Sequence, residues 1–242
     1  MYYPPYVDAL FLVLVFALVG LGVTAIRRAA GRGAQLPRQW LWLRLGLLAW
    51  LFVTAASASS GYFSDFLTMP PRIALAIVPA FLAMLAIGFS PWAGRLAEVL
   101  PHAGILYAQS FRIVMEAILW LLYLHQAMPR VMTFEGRNFD LLTGASALIL
   151  GILWQRNVLR SRTVLIAWNW AGIAILSLTV SQGFFSAPTR LQLIHEEVDN
   201  VLIGGFPFIW LPTFVVPFAF VLHILSLRKL RAEGIATAAP AS

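Results

Sequence analysis

The sequence predicts an all-α fold: a polytopic membrane bundle of seven transmembrane helices, with the N-terminus outside and the C-terminus cytoplasmic. Three observations predict it. The 242 residues are 60% hydrophobic and only 11% charged, with a mean hydropathy of +0.82. A water-soluble surface built from this composition would expose large apolar patches. The apolar residues fall into seven runs that approach the ~20 residues a helix needs to cross a bilayer. Finally, alternate connections differ sharply in arginine content, which fixes the side on which each lies.

The runs are justified in chain order. Residues 9–26 are followed by Arg27 and Arg28 and lack a basic leader or a small-residue cleavage site. They read as a retained span inserted N-terminus first, not as a cleaved signal. A glycine-containing inner connection over 30–37 leads to the second run, 41–61, whose Thr54, Ser57, Ser59 and Ser60 form a small-residue side suited to close helix packing. The third run is 73–89 and the fourth, the most polar, is 105–125. The fifth, 141–154, is the shortest, with Asn138 and Asp140 placed as its N-cap and first-turn residues. The sixth is 164–182. The seventh, 206–227, contains Pro207, Pro212 and Pro217, each of which removes a backbone donor and should bend or break the helix. Residues 1–231 thus form one transmembrane domain, and 232–242, small and polar, a disordered cytoplasmic tail. Trp40, Trp42, Trp92, Trp154, Trp168, Trp170 and Trp210 fall at run ends, as an interfacial aromatic belt does.

One set of connections and helix ends holds Arg27, Arg28, Arg32, Arg38, Arg44, Arg95, Arg156, Arg160, Arg162, Arg228, Lys229 and Arg231; the other holds Arg72, Arg130, Arg137 and Arg190. The first set is assigned to the cytoplasm. Most acids, Asp8, Asp65, Glu135, Asp140, Glu196, Glu197 and Asp199, lie on the opposite side. The net charge of +7 is therefore concentrated on the inner face. It argues for a surface resting on anionic lipid, and against a nucleic-acid partner. The expected location is a bacterial inner (plasma) membrane, with the lipid bilayer as the first partner.

Several chemistries are excluded. The chain has no cysteine, hence no disulfide, thiolate metal site or cysteine nucleophile. Its single lysine, Lys229, lies at a helix end, which excludes a Schiff base within the bilayer, covalent retinal included. No Gly-rich phosphate loop, nucleophile elbow or Walker motif is present.

The sharpest clue is in the fourth run. Arg112 and Glu116 lie about one turn apart near its middle. A charge at that depth costs several kcal/mol, about 3 on insertion scales, unless it is paired or faces a water-filled cavity. His102, Gln109, Glu116 and Tyr123 follow heptad spacing, so one face carries a polar file. Two readings compete: a file lining a solute or proton route or a buried ligand site, and a purely structural pair. Arg before Glu at i,i+4 is the weaker order for a helical pair, so each is expected to find partners on other helices, such as Asn169 or Thr54.

The outer face offers a second set. Arg72, Arg130 and Arg190 each follow a proline closely and read either as helix stops or as a ring of guanidinium groups suited to a carboxylate or phosphate. Residues 190–202 have Leu191, Ile194, Val198 and Val201 at helical spacing and are expected to form an amphipathic helix on the interface. On its polar side stand His195, Glu196, Asp199 and Asn200; with His125 and Glu135 these could bind Zn or Fe at the outer face, although the second histidine of H-E-x-x-H is missing. Haem is disfavoured, because His102 and His125 are about 34 Å apart along one helix, and His102 and His223 fall on the cytoplasmic side.

The leading expectation is therefore a carrier or binding protein for a small anionic or lipid-like molecule entering from the outer face. Its ligand-binding residues would be Arg112, Glu116, Gln109, Tyr123, Arg130, Arg137 and Arg190. The alternatives are a metal-dependent membrane enzyme using His125, Glu135, His195, Glu196 and Asp199, and a non-catalytic assembly or sensor subunit.

Overall fold

The computed structural model describes residues 3–31 and 39–238. Among these there is no strand; the helices are α1 (Tyr6–Gly31), α2 (Gln39–Ser59), α3 (Ala74–Phe89), α4 (Pro91–Val99), α5 (His102–Gln109), α6 (Phe111–Leu124), α7 (Asp140–Gln155), α8 (Arg162–Phe185) and α9 (Val216–Ala238). The loop expected at 30–37, with Arg32 and Arg38, and the tail residues 239–242 fall wholly or largely outside the described residues. Residues 232–238, expected to be disordered, continue α9.

Five helices are long and apolar enough to cross a membrane: Tyr6–Ala29, Leu41–Ser59, His102–Leu124, Arg162–Phe185 and Leu211–Ile235. This makes the protein an all-α bundle with the character of an integral membrane protein. The fourth expected span corresponds to α5 and α6 joined at Ser110. The third corresponds to α3, which ends at Phe89 as expected and meets α4 at a 62° bend; the two together would count as a sixth span. The bend is written locally. Ser90 Oγ accepts the Ala93 amide at 3.1 Å and Pro91 occupies the first helical position, which starts a new helix instead of extending the old one. Arg228 of α9 holds the corner through Nη1, which donates to the carbonyls of Gly88 and Ser90 at 2.8 and 2.7 Å. The fifth expected span is α7, a helix of 16 residues and about 24 Å. It is shorter than a hydrocarbon core of about 30 Å.

α9 is the central element, packing on α3, α4, α5 and α8, while α6 packs on α1 and α7. The expected effect of its prolines is realised as a one-turn π-helix over Leu211–Val215, which precedes α9. Pro217 has no N–H for the carbonyl of Thr213 four residues earlier. Trp50 of α2 supplies the missing donor, its Nε1 lying 3.2 Å from that oxygen. In return, Trp210 Nε1 donates to Leu51 O at 3.1 Å and Thr54 Oγ1 at 3.2 Å. Trp210, assigned from sequence to an interfacial belt, is thus buried against α2, and Thr54 serves it and not the charged residues of α6.

The segment 190–202 is not the expected amphipathic helix. It is irregular from Leu191 to Val201, followed by one 3-10 turn at Leu202–Gly204. Local side-chain bonds outcompete the helix: Thr189 Oγ1 accepts the Leu191 amide, and Gln192 Nε2 reaches both Ile194 O and Asp199 Oδ1. The segment folds back on the end of α8, where Phe185 O accepts the amides of Leu193 and Ile194.

Replacing Trp50 by Phe leaves the Thr213 carbonyl without its donor at a buried π-turn. The expected loss is about 1–3 kcal/mol of stability, read as a lower midpoint of thermal unfolding in detergent. An unchanged midpoint would show that the indole does not hold the turn.

Candidate functional site

The site is built around Arg112, which is 1% exposed in the middle of the bundle. A guanidinium there requires its N–H groups to be met by acceptors. Nε donates to Gln109 Oε1 at 3.0 Å, one turn earlier on the joined α5–α6 rod. Nη1 is paired with Asp140 Oδ1 of α7 in a charge-assisted hydrogen bond. Nη2 lies 3.1 Å from His223 Nε2 of α9. The other ring nitrogen, Nδ1, is 2.9 Å from Asn169 Oδ1 of α8. Asn169 uses its Nδ2 to donate to Leu165 O and to Ser226 Oγ, both at 2.8 Å, so its oxygen is the atom facing the imidazole. His223 therefore carries its proton on Nδ1 and offers the lone pair of Nε2 to Arg112. One hydrogen-bonded line thus runs Ser226–Asn169–His223–Arg112–Asp140 through α6, α7, α8 and α9.

Glu116 is 2% exposed and does not pair with Arg112. Arg112 pairs with Asp140 of α7 instead, in keeping with the unfavourable i,i+4 order of Arg112 and Glu116. The carboxylate faces the loop 125–139 instead, which sinks into the bundle. Oε1 accepts the Phe134 amide at 2.5 Å and Oε2 accepts Asn138 Nδ2 at 2.7 Å. Asn138 also donates to Met132 O, and its Oδ1 accepts from the Asp140 amide at 3.0 Å and Thr179 Oγ1 at 2.9 Å. Asn138 and Asp140, read from sequence as helix-start residues, are at once that and the bridge between the two buried charges. The sunken loop explains the short α7: the helix starts below the loop face, at the depth of Arg112.

Two close approaches depend on glycine. A Cβ on Gly144 would sit 3.0 Å from the Ile113 backbone nitrogen and 3.1 Å from Arg112 Cβ, so glycine there lets α7 press against α6 without crowding. A Cβ on Gly172 would sit 2.4 Å from His223 Cε1 and 2.7 Å from its Nε2.

Beside this network lies a cavity of about 220 Å³ between α3 and α8, which both pack on α9. Its walls are apolar, with Ile77 from α3, Met115 from α6, Val180 from α8 and Val215 from the π-turn. Val78 and Phe184 line it as well and are 53% and 44% exposed, so it opens sideways between α3 and α8. Its polar lining residues are Arg112, Glu116, Asp140, Asn138, Thr179, Thr189 and Asn200.

Of the residues expected to bind a ligand, Arg112, Glu116 and Gln109 come together in the bundle, and Tyr123 lies half-buried further along α6. The polar stripe is real over His102, Gln109 and Glu116, all buried, with His102 Nε2 held 2.9 Å from both Glu233 oxygens. Arg130, Arg137 and Arg190 do not line the cavity; Arg130 Nε donates to Glu135 O, and Arg72, expected in the same ring, pairs with Asp65 at 3.3 Å.

The expected Zn or Fe ligands are not assembled: among the described residues no three His, Asp or Glu side chains converge as a metal site. His125 and His195 are exposed, Glu135 accepts from Trp120 Nε1 at 2.7 Å, Glu196 accepts the Val131 amide, and Asp199 accepts from Gln192. The helix that would have aligned His195 with Asp199 did not form. Sequence reasoning missed His223, assigned to the cytoplasmic side, and Asp140 as the counter-ion. The available signal was the demand of Arg112 for acceptors from neighbouring helices.

Asp140→Ala leaves a buried guanidinium without its carboxylate and should cost about 3–5 kcal/mol. The double variant Arg112→Met, Asp140→Leu removes both charges and should be more stable than Asp140→Ala alone, as measured by denaturation in detergent. A double variant as unstable as the single one would show that the pair is not what the core depends on. Gly172→Ala should displace the imidazole from Arg112, a change visible in the His223 ring resonances by NMR.

No curated protein and no solved structure matches the chain. Residues 70–231 match the family model described as Domain of unknown function (DUF8737). The match takes in α3 to most of α9, and with them every residue of the buried network and of the cavity wall; the chain belongs to that family.

Proposed function

We propose that this protein is an integral membrane binding protein or carrier for a small lipid-like molecule, with the apolar chain in the cavity between α3 and α8 and the polar head at the Arg112–Asp140–Glu116 centre. One observation carries the reading: an apolar cavity between α3 and α8 has buried charged residues in its lining. Membrane ligands that are apolar at one end and polar at the other match that pattern. A cavity of about 150 Å³ is enough to hold benzene. The 220 Å³ here is below the 300–1,000 Å³ usual for drug-sized ligands and fits one alkyl or prenyl chain in preference to a whole two-chain lipid.

In this reading all seven apolar segments lie in a plasma membrane, α7 as a short one capped by the sunken loop 125–139. The N-terminus is outside and the arginine-rich connections are cytoplasmic. The polar end of the cavity then lies toward the outer leaflet, and the ligand enters laterally between α3 and α8. Arg130, Arg137 and Arg190 colour the charge of the outer surface without touching the ligand.

The test is photolabelling of the purified protein in nanodiscs with an alkyl diazirine probe, followed by mapping of the labelled peptides. Saturable labelling of α3 and α8 is expected. Val180→Trp, at a half-buried position on the cavity wall, should cut it at least severalfold while leaving the unfolding midpoint close to that of the parent. Labelling spread evenly over lipid-facing helices, and unaffected by the substitution, would overturn the proposal.

A further inference from the structure

The cavity shows what kind of head group it would take. Asn200 lines it, is 1% exposed, and its Oδ1 is buried without a hydrogen-bond partner among the described residues. The orientation of this amide is fixed by its other end: Nδ2 lies 3.1 Å from Gly183 O, an acceptor, so the atom there must be the nitrogen. The backbone of Asn200 is anchored as well, its amide donating to Ser186 O at 3.0 Å. A held acceptor with no donor is costly in an apolar setting, and groups of this kind mark places where a missing partner binds.

Two further polar side chains of the cavity, Thr179 and Asn138, point the same way. Thr179 directs its hydroxyl proton to Asn138 Oδ1 or Ile175 O, so toward a ligand it can only accept. Asn138 Nδ2 serves Glu116 and Met132 O. Among the charged residues of the lining, two carboxylates, Glu116 and Asp140, stand against one guanidinium, and all three nitrogens of Arg112 are engaged by Gln109, Asp140 and His223. Acceptors are thus well represented in the lining, and a head group that donates suits it.

We infer that the ligand is headed by a hydrogen-bond donor, a hydroxyl or amine on an apolar chain, and that Asn200 Oδ1 is its specificity-determining acceptor. This narrows the earlier expectation of an anionic or lipid-like ligand, and it rests on the cavity being the ligand site. Selection here is by an unpaired buried acceptor: a molecule that cannot donate, a carboxylate included, leaves it unpaired.

The experiment is equilibrium binding of radiolabelled decan-1-ol, decylamine and decanoate to the full chain in nanodiscs, with empty nanodiscs subtracted. The alcohol or the amine is expected to bind at least about tenfold more tightly than the carboxylate. Asn200→Leu should reduce that preference to within about threefold. Decanoate binding as well as or better than decanol would overturn the inference and leave the cavity reading standing. Absence of saturable binding by all three probes would overturn both. Should Asn200→Leu fail to fold, the head-group series on the unaltered protein decides alone.

Discussion

The structure depends on one constraint, the burial of the Arg112 guanidinium. A charged group in an apolar bundle must have its donors met and its charge balanced, and no single neighbouring helix can do both. The surrounding architecture answers that demand. α7 begins deep enough to bring Asp140 to Nη1, α9 brings the lone pair of His223 to Nη2, and Gln109 on the same rod takes Nε. Glycines 144 and 172 remove the Cβ atoms that would hold α7 and α8 away. Even the tautomer of His223 is set two bonds further out, by Asn169 and the carbonyl of Leu165.

The presence of this centre was legible in the sequence; its wiring was not. The cost of a charge inside an apolar run singled out Arg112 and Glu116, and the period of seven placed His102, Gln109 and Glu116 on one buried face. The weak order of Arg before Glu correctly sent each to other partners. Which partners they found depends on the relative depth of helices that are distant in sequence, and no pattern within a run encodes that depth. Asp140 looked like an ordinary first-turn acid because nothing local shows that the loop before it sinks into the bundle. His223 looked like a helix-end histidine because the run was counted from Phe206, whereas a π-turn occupies Leu211–Val215 and regular α-helix starts only at Val216.

The misread elements share a physical cause, competition between helical periodicity and side-chain bonding to the backbone. Residues 190–202 have helical spacing of Leu191, Ile194, Val198 and Val201, yet Thr189, Gln192 and Asp199 satisfy the chain locally and leave the spacing without consequence. With the helix absent, His195 and Asp199 lose the one-turn relation that made them candidate ligands. At the α3–α4 corner local signals and the run agree: the third run ends at Phe89, and Ser90 and Pro91 start a new helix directly after it. α3 and α7, of 16 residues each, are short because their apolar runs are short.

The same geometry that satisfies Arg112 gives the neighbouring cavity its character. Several donors near the cavity are recruited inward: Arg112 gives one N–H from each nitrogen to Gln109, Asp140 and His223, Asn138 serves Glu116 and Met132 O, and Thr179 serves Asn138. Asn200 Oδ1 is an acceptor that this network does not use. Asn200 illustrates the asymmetry within a single side chain: its nitrogen closes the end of α8 on Gly183, and its oxygen stays buried without a partner in a residue of the cavity lining. Structural demand on one side of the wall thereby limits which polar groups remain on the other, and the chemistry of the cavity lining follows from a packing problem.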